Sequence, residues 1–243
     1  MNLLKQLKGV NWLNILIFYT VILCGTYYAR KQPNLLQLLL KQVSAIPFSF
    51  NYNHGIITLL ASLLFYRFSR KKQQITLWGS APLKSLLFPL ILFSCYTTAG
   101  ISNRHGVNPH LWALIFCGLA FLYNIMEEYA WRGYLTEHMG KVNYVVKSIV
   151  SGVLWSAWHL LVFSNFDQYG GFTVFFAFCL VFSFLLTFAV LRTHSIIVAA
   201  SIHAFIIQTN SAALVCLVIF LLLLLAWNHL PYTLGKNGKR NVV

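Results

Sequence analysis

Two adjacent glutamates and a nearby arginine stand out in an otherwise apolar stretch. The segment EEYAWRG, residues 127–133, contains two of the four acidic residues in the chain. A carboxylate in hydrocarbon costs at least ~2.5 kcal/mol, and adjacent carboxylates also repel each other. Glu128 and Arg132 are four residues apart, which predicts an ion pair on one helix face. That pair is a sufficient structural explanation for both residues, but it leaves Glu127 without a partner on the same helix.

Two histidines could share the level of Glu127 in the bilayer. His159 and His203 are flanked on both sides by apolar sequence, and taken singly each is explained as a packing residue. The rise of a helix places all three side chains roughly 14–20 Å from the helix ends on the predicted cytoplasmic side, so they could meet in the cytoplasmic half of the bilayer. One carboxylate and two imidazoles could then activate water by supplying a base, a polarising group and a proton donor.

The composition requires a membrane around these residues. The apolar fraction is 58%, mean hydropathy is +0.69 and only 9% of residues are charged, against about 25% in a soluble domain. This excludes a soluble protein and predicts an all-α, polytopic membrane protein. The net charge of +14 comes from short basic segments between apolar runs. That placement sets topology and attracts anionic lipid, so we expect no nucleic-acid partner.

Apolar runs of near 20 residues predict about eight transmembrane helices. We expect one membrane domain over 1–243, with spans 1–3 in 1–110, a motif-bearing core at 111–208 with the site in spans 4, 5 and 7, and a basic tail at 230–243. The segment RFSRKKQQITLWG, 67–79, is either an amphipathic segment on anionic lipid or an ordinary cytoplasmic loop. The predicted spans are 11–28, 54–68, 83–101, 111–137, 144–164, 172–191, 194–208 and 211–229.

The basic residues predict an orientation for these spans. Thirteen of the 18 lysines and arginines fall on the side of the N-terminus and the tail, four fall on the other side, and Arg132 lies within a span. The positive-inside rule therefore predicts that both termini are cytoplasmic.

Three motifs in this order resemble the CAAX-protease and bacteriocin-processing family of intramembrane endopeptidases, also called Abi. EEYAWRG is similar to its EExxxR motif, Trp155–His159 to its aromatic-xxx-His motif, and His203 to the histidine of its third motif. The resemblance implies an eight-span helical protein that hydrolyses peptide bonds at a site open to the cytoplasm.

The resemblance also implies roles for individual residues. Glu127 would activate water, and Glu128 and Arg132 would orient or neutralise it. His159 would position water or donate a proton, while His203 would stabilise the oxyanion. The predicted substrate-binding residues are Asn124, Trp131 and Trp155.

One position departs from the family pattern. A polar residue often lies four positions after the last histidine, but here that position is Ile207. Either the oxyanion site is incomplete, or a neighbour such as Tyr123, Asn124 or Ser156 replaces it. A glutamate and two histidines could bind zinc, but HExxH is absent, so we favour a metal-free glutamic mechanism without a cofactor.

Two alternatives to a protease remain open. An inactive scaffold or immunity protein would keep the fold without the chemistry, and a proton-coupled transporter would use the buried ionisable groups as a relay. We expect the lipid bilayer and a membrane-bound protein or peptide as partners. The substrate is of the CAAX type or of the bacteriocin or pheromone type. Short loops and small size favour a bacterial plasma membrane.

Overall fold

The computed structural model describes residues 3–44, 46, 50–69, 72–208 and 210–230, without the side chains of 3–5. Beyond Leu230, the predicted basic tail lies outside the described residues. Within these ranges the regular secondary structure is helical, and the nearest approach to a sheet is an isolated parallel bridge between Thr76 and Ser195. The helices are α1 Leu3–Lys8, α2 Trp12–Arg30, α3 Leu35–Leu40, α4 Asn53–Ser69, α5 Pro82–Ala99, α6 Pro109–Glu128, α7 Leu135–His138, α8 Tyr144–Val162, α9 Phe172–Thr193, α10 Ile196–Ala204 and α11 Ser211–Leu225.

A helix lies at each of the eight predicted spans, so the all-α, polytopic membrane fold is confirmed. Five helical stretches are long and apolar enough to cross a membrane: Trp12–Arg30, Pro82–Ala99, Pro109–His138, Tyr144–Val162 and Phe172–Thr193. Ile196–Ile207 and Ser211–Leu225 are shorter apolar helices, and α4 has 17 residues. The short α1 and α3 were not predicted.

Asparagine side chains define where several of these helices begin. Asn108 accepts hydrogen bonds from the backbone N–H groups of His110 and Leu111, and Pro109 occupies the first helical position. Asn143 caps α8 and Asn210 caps α11 in the same way. A side-chain oxygen here satisfies an N–H group that the first helical turn leaves without a partner.

The short helix α10 forms the centre of the molecule. All nine of its residues are buried, and it packs against α5, α6 and α9. Since α8 packs along α9, the predicted site residues of α6, α8 and α10 lie on helices that surround a common core. A helix that is apolar on every side is typical of such a buried position.

The segment that follows α4 is not an amphipathic helix. Residues 72–81 have no α-helical turn, and Thr76 exchanges backbone hydrogen bonds with His194 and Ile196 at the turn between α9 and α10. Of the two predicted alternatives for this segment, a loop is the one that the described residues adopt.

Candidate active site

The EEYAWRG segment forms a π-helical turn. The α-helical geometry of α6 ends at Glu128, Tyr129–Tyr134 follow as π-helix, and α7 resumes at Leu135. The sequence predicted one uninterrupted helix here, and the interruption was not foreseen. A π-turn changes the register of the side chains on either side of it, and such turns are frequent at functional sites.

Glu128 is the centre of a buried polar cluster. Its Oε1 accepts hydrogen bonds from Arg132 Nη1 at 3.2 Å and from His203 Nδ1 at 2.8 Å. Arg132 also donates from Nη2 to the Ser183 hydroxyl at 2.8 Å. The predicted ion pair is therefore confirmed, and it extends to α9 and α10. Both charged side chains are completely buried, so each depends on the other for compensation.

Glu127 has a different partner. Its Oε2 accepts a hydrogen bond of 2.8 Å from the indole Nε1 of Trp155. The guanidinium of Arg132 lies 4.6 Å from the centre of the Trp155 ring, within the range of a cation–π contact. The hydroxyl of Tyr123 also lies near the carboxylate of Glu127. The indole of Trp155 thus contacts both Glu127 and Arg132, the ion-pair partner of Glu128.

Both predicted histidines are oriented by a hydrogen bond from Nδ1. His159 Nδ1 lies 2.8 Å from the carbonyl oxygen of Trp155, which can only accept, so Nδ1 carries the proton. In the neutral ring Nε2 is then an acceptor. His203 Nδ1 is held by Glu128 in the same manner. The ring centres of His159 and His203 lie 5.3 and 5.0 Å from that of Trp155.

A cavity of about 540 Å³ connects these groups. Glu127, Trp155, His159 and His203 all line it, so the structure brings together one predicted residue from α6, two from α8 and one from α10. The rest of its wall is largely apolar, formed by Phe116, Val162, Phe163, Phe175, Phe178 and Ile206. A mostly apolar cavity with a few converging polar groups is typical of a ligand site.

Four other predicted site residues lie outside this lining. Glu128 and Arg132 are buried behind the wall and contact the cavity through His203 and Trp155. Asn124 and Trp131 are buried but are not among the lining residues. Trp131 packs against Trp158 and Tyr19 instead, so this geometry gives no support to its predicted contact with substrate.

Two charged or titratable lining residues, Arg30 and His54, were not predicted to belong to the site. Arg30 lies at the end of α2. Tyr123, named from the sequence as a possible replacement for the missing oxyanion donor, also lines the cavity. His54 stands at the start of the predicted span 54–68, a position that does not indicate a role in the site. Its ring packs on Tyr123 and Trp158, and its Nδ1 is buried without a hydrogen-bond partner.

The rim of the cavity belongs to one end of the helix bundle. It comprises Arg30, Asn51 and the loop residues Gln168 and Tyr169, and burial raises the pKa of the Tyr169 hydroxyl. These residues lie at the end of α2, just before α4 and between α8 and α9. That end is opposite to the one carrying most lysines and arginines. We predicted both a site open to the cytoplasm and cytoplasmic termini. Because the cavity rim and most basic segments lie at opposite ends of the bundle, only one of these two predictions can hold.

The site offers limited ligands for a metal ion. In the part of the chain that the structure describes, no group of three or more His, Cys, Asp or Glu side chains is arranged to hold one. The Nδ1 atoms of His159 and His203 are both engaged by protein oxygens, which leaves Nε2 of each ring as the free nitrogen.

Residues 108–207 match the model of a known family, the type II CAAX prenyl endopeptidases described as Rce1-like. The matched region is similar to that family. The match covers about two fifths of the chain and contains EEYAWRG, Trp155–His159 and His203. The resemblance inferred from those motifs is thereby confirmed, and at the level of the family the region is that of a CAAX-type protease. No curated protein matches the chain.

Proposed function

We propose that this protein is an intramembrane endopeptidase in which Glu127 activates water for attack on a peptide bond. The observation that carries the proposal is the position of Glu127. Its carboxylate is fixed by Trp155 at 2.8 Å in a cavity that His159 and His203 also line. A general base needs a fixed position near water and further polar groups that stabilise charge in the transition state.

The proposed reaction begins with a water molecule in the cavity. Glu127 removes its proton while the oxygen attacks the carbonyl carbon of the substrate, giving a tetrahedral oxyanion. Glu127 then returns the proton to the leaving nitrogen, and the C–N bond breaks. The acceptor Nε2 of neutral His159 can hold the water in place, and His203, when doubly protonated, can donate from Nε2 to the oxyanion.

The hydrophobic Ile207 leaves the oxyanion with one donor fewer than the family pattern provides. Of the three replacements inferred from sequence, only Tyr123 lines the cavity. The hydroxyl of Ser156 donates to the carbonyl of Val153 instead. His54 is a second donor with access to the cavity. We assign the missing contact to Tyr123 or His54 because both line the cavity. One well-placed donor contributes about 2.7–4 kcal/mol to such a step.

The shape of the cavity supports a membrane-associated peptide as the substrate. Its apolar wall suits a lipid chain or apolar side chains, and the guanidinium of Arg30 at the rim suits a carboxylate. A lipid-modified chain near its C-terminus has both features, which agrees with a CAAX-type substrate. A bacteriocin or pheromone precursor also has an apolar segment, but it is cleaved at an internal peptide bond. Its cleavage would not require Arg30 to bind a C-terminal carboxylate.

A peptide panel tests the proposal. The purified protein in lipid vesicles is incubated with farnesylated CAAX peptides that have a free or an amidated C-terminus, and with an unmodified apolar leader peptide. We expect cleavage of the farnesylated peptide with the free carboxylate, and none by Glu127→Gln. Lack of cleavage of any peptide by wild-type protein that is folded would favour the inactive scaffold.

The orientation and location are also proposals. The excess of basic residues supports cytoplasmic termini in a bacterial plasma membrane, which places the rim of the cavity on the exterior side. We adopt this orientation because it depends on thirteen residues, whereas a site open to the cytoplasm was inferred from the resemblance and from the depths of three side chains.

A further inference from the structure

A second pocket lies at the opposite end of the bundle from the cavity. It has a volume of about 480 Å³ and is formed where α7, α8 and α9 meet the segment that follows α4. Its cationic lining residues are Lys72, Lys141 and Lys147, joined by His194 and by one acidic residue, Glu137. It shares no lining residue with the cavity of the candidate active site.

Lys147 is unusual among these lysines because it is buried. It lies in the first turn of α8 and only 8% of its surface is exposed. Among the described residues it has no hydrogen-bond or ion-pair partner. The stem of Lys147 is enclosed, but its Nζ is not sealed inside the protein. A group in the pocket that supplies negative charge can therefore reach the ammonium and would be bound favourably.

The acidic residue of the pocket is already engaged. Glu137 Oε1 accepts hydrogen bonds from the backbone N–H groups of Gln74 and Ile75. It does not form a direct ion pair with Lys147, so the lysine charges are not cancelled by contact. The lining retains an excess of positive charge.

The pocket walls are held in place from two sides. Glu137 fixes the segment at 74–75, and Thr76 bonds to the backbone at His194 and Ile196. His194 itself has a left-handed backbone with φ of 56°, which is uncommon outside glycine, and its Nδ1 is buried without a partner. A preformed cationic pocket loses little conformational entropy when an anion binds.

We propose that this pocket binds a phosphate ester anion, either on an anionic lipid headgroup or free in solution. Lysine is a common phosphate ligand, and the N-terminal turn of α8, where Lys147 lies, favours negative charge as well. The pocket lies at the end of the bundle that carries most of the basic segments, the level at which phospholipid headgroups meet a membrane protein.

Binding measurements on the full-length protein test this proposal. Wild type and Lys147→Met are compared in detergent by titration with phosphatidylglycerol, phosphatidylcholine and inorganic phosphate, using native mass spectrometry and thermal stability as readouts. Methionine keeps the length and the apolar stem of lysine without its charge. The matched control is Lys41→Met, since Lys41 is an exposed lysine on the side of Arg30.

We expect wild type and Lys41→Met to bind phosphatidylglycerol equally, and Lys147→Met to bind about tenfold more weakly, the loss of one charge-assisted contact. Binding of phosphatidylglycerol but not of inorganic phosphate identifies a lipid headgroup as the ligand, while equal binding of both identifies the free anion. Identical affinities of all three proteins for every probe would overturn the proposal.

A second variant guards against misfolding of Lys147→Met. The double substitution Lys72→Gln and Lys141→Gln removes charge from exposed positions of the same pocket. It should weaken the same binding and leave thermal stability in phosphatidylcholine unchanged. Unaltered binding by this folded variant would contradict the proposal in the same way. Neither variant touches the candidate active site, so a failure here is separate from a failure of the proposed peptidase.

Discussion

The indole of Trp155 and the carboxylate of Glu127 are joined by a hydrogen bond of 2.8 Å that connects α8 with α6. The same indole is 4.6 Å from the guanidinium of Arg132 and lies beside both predicted histidines. Trp155 therefore holds the proposed base in place. The family motif requires only an aromatic residue at this position, but here Glu127 accepts a hydrogen bond from the indole N–H group, which other aromatic residues lack.

Replacing Trp155 by phenylalanine should impair catalysis more than folding. Phenylalanine keeps an aromatic ring but cannot donate to Glu127, and a hydrogen bond to a charged group contributes about 1.5–3 kcal/mol. We expect kcat to fall about 10- to 100-fold with a smaller change in KM, measured on the cleaved peptide in vesicles.

Trp158→Phe is the matched control for that substitution. Trp158 is equally buried and its indole donates to the Thr26 hydroxyl at 2.8 Å, but it does not line the cavity. Loss of this hydrogen bond should lower thermal stability by about as much as Trp155→Phe does. It should leave kcat within about threefold of wild type, a smaller change than the loss of one charge-assisted hydrogen bond would cause. An equal loss of activity in both variants would show that the Trp155 contact is merely structural.

The pair formed by Glu128 and Arg132 should govern stability. Removing one partner leaves a buried charge uncompensated, which costs about 3–5 kcal/mol, so Arg132→Ala should unfold at much lower temperature in detergent than wild type. The double variant Glu128→Gln with Arg132→Met removes both charges, and we expect it to recover most of that loss. A double variant as unstable as Arg132→Ala would contradict this account of the pair.

Tyr123 and His54 should contribute to the chemical step. If either donates to the oxyanion, Tyr123→Phe or His54→Asn lowers kcat about 100-fold or more and leaves KM nearly constant. Tyr144→Phe is a suitable control, because the Tyr144 hydroxyl donates to the carbonyl of Phe184 on α9 and Tyr144 does not line the cavity. Full activity of both cavity variants would show that neither side chain replaces the donor missing at Ile207.

Labelling with a membrane-impermeant thiol reagent tests the proposed orientation. In a background without the native cysteines, Gln168→Cys at the cavity rim should react from the exterior, and Lys141→Cys at the basic pocket only from the cytoplasm. The two positions must react from opposite sides if the fold is correct. Reversed sidedness of both would place the cavity on the cytoplasmic side and would contradict the positive-inside assignment for this chain.

The sequence was sufficient for the fold class because hydropathy depends on composition over windows of about 20 residues. It also predicted the pair of Glu128 and Arg132, since a spacing of four residues places two side chains on one helical face. The convergence of Glu127, His159 and His203 on one cavity followed from matching their depths. These inferences use the helix period and the bilayer thickness, which hold before any tertiary contact is known.

Features that depend on tertiary packing were not predictable. The π-turn at Tyr129–Tyr134 leaves no mark in the local sequence. His54 was given no role because its place at the start of a span says nothing about which helices surround it. Trp131 was placed at the substrate because it lies within the motif, but the turn directs it toward Trp158. The end of the bundle at which the cavity opens could not be predicted either, because it depends on which loops form the rim.

The most direct test compares peptide cleavage by wild type and Glu127→Gln, with and without a chelator, in vesicles containing equal amounts of folded protein. Glutamine keeps the shape and can still accept the Trp155 hydrogen bond, but it cannot take a proton from water. The account predicts a fall in kcat of at least about 100-fold, unchanged thermal stability, and wild-type activity that the chelator does not alter. Cleavage by Glu127→Gln at the wild-type rate would contradict it.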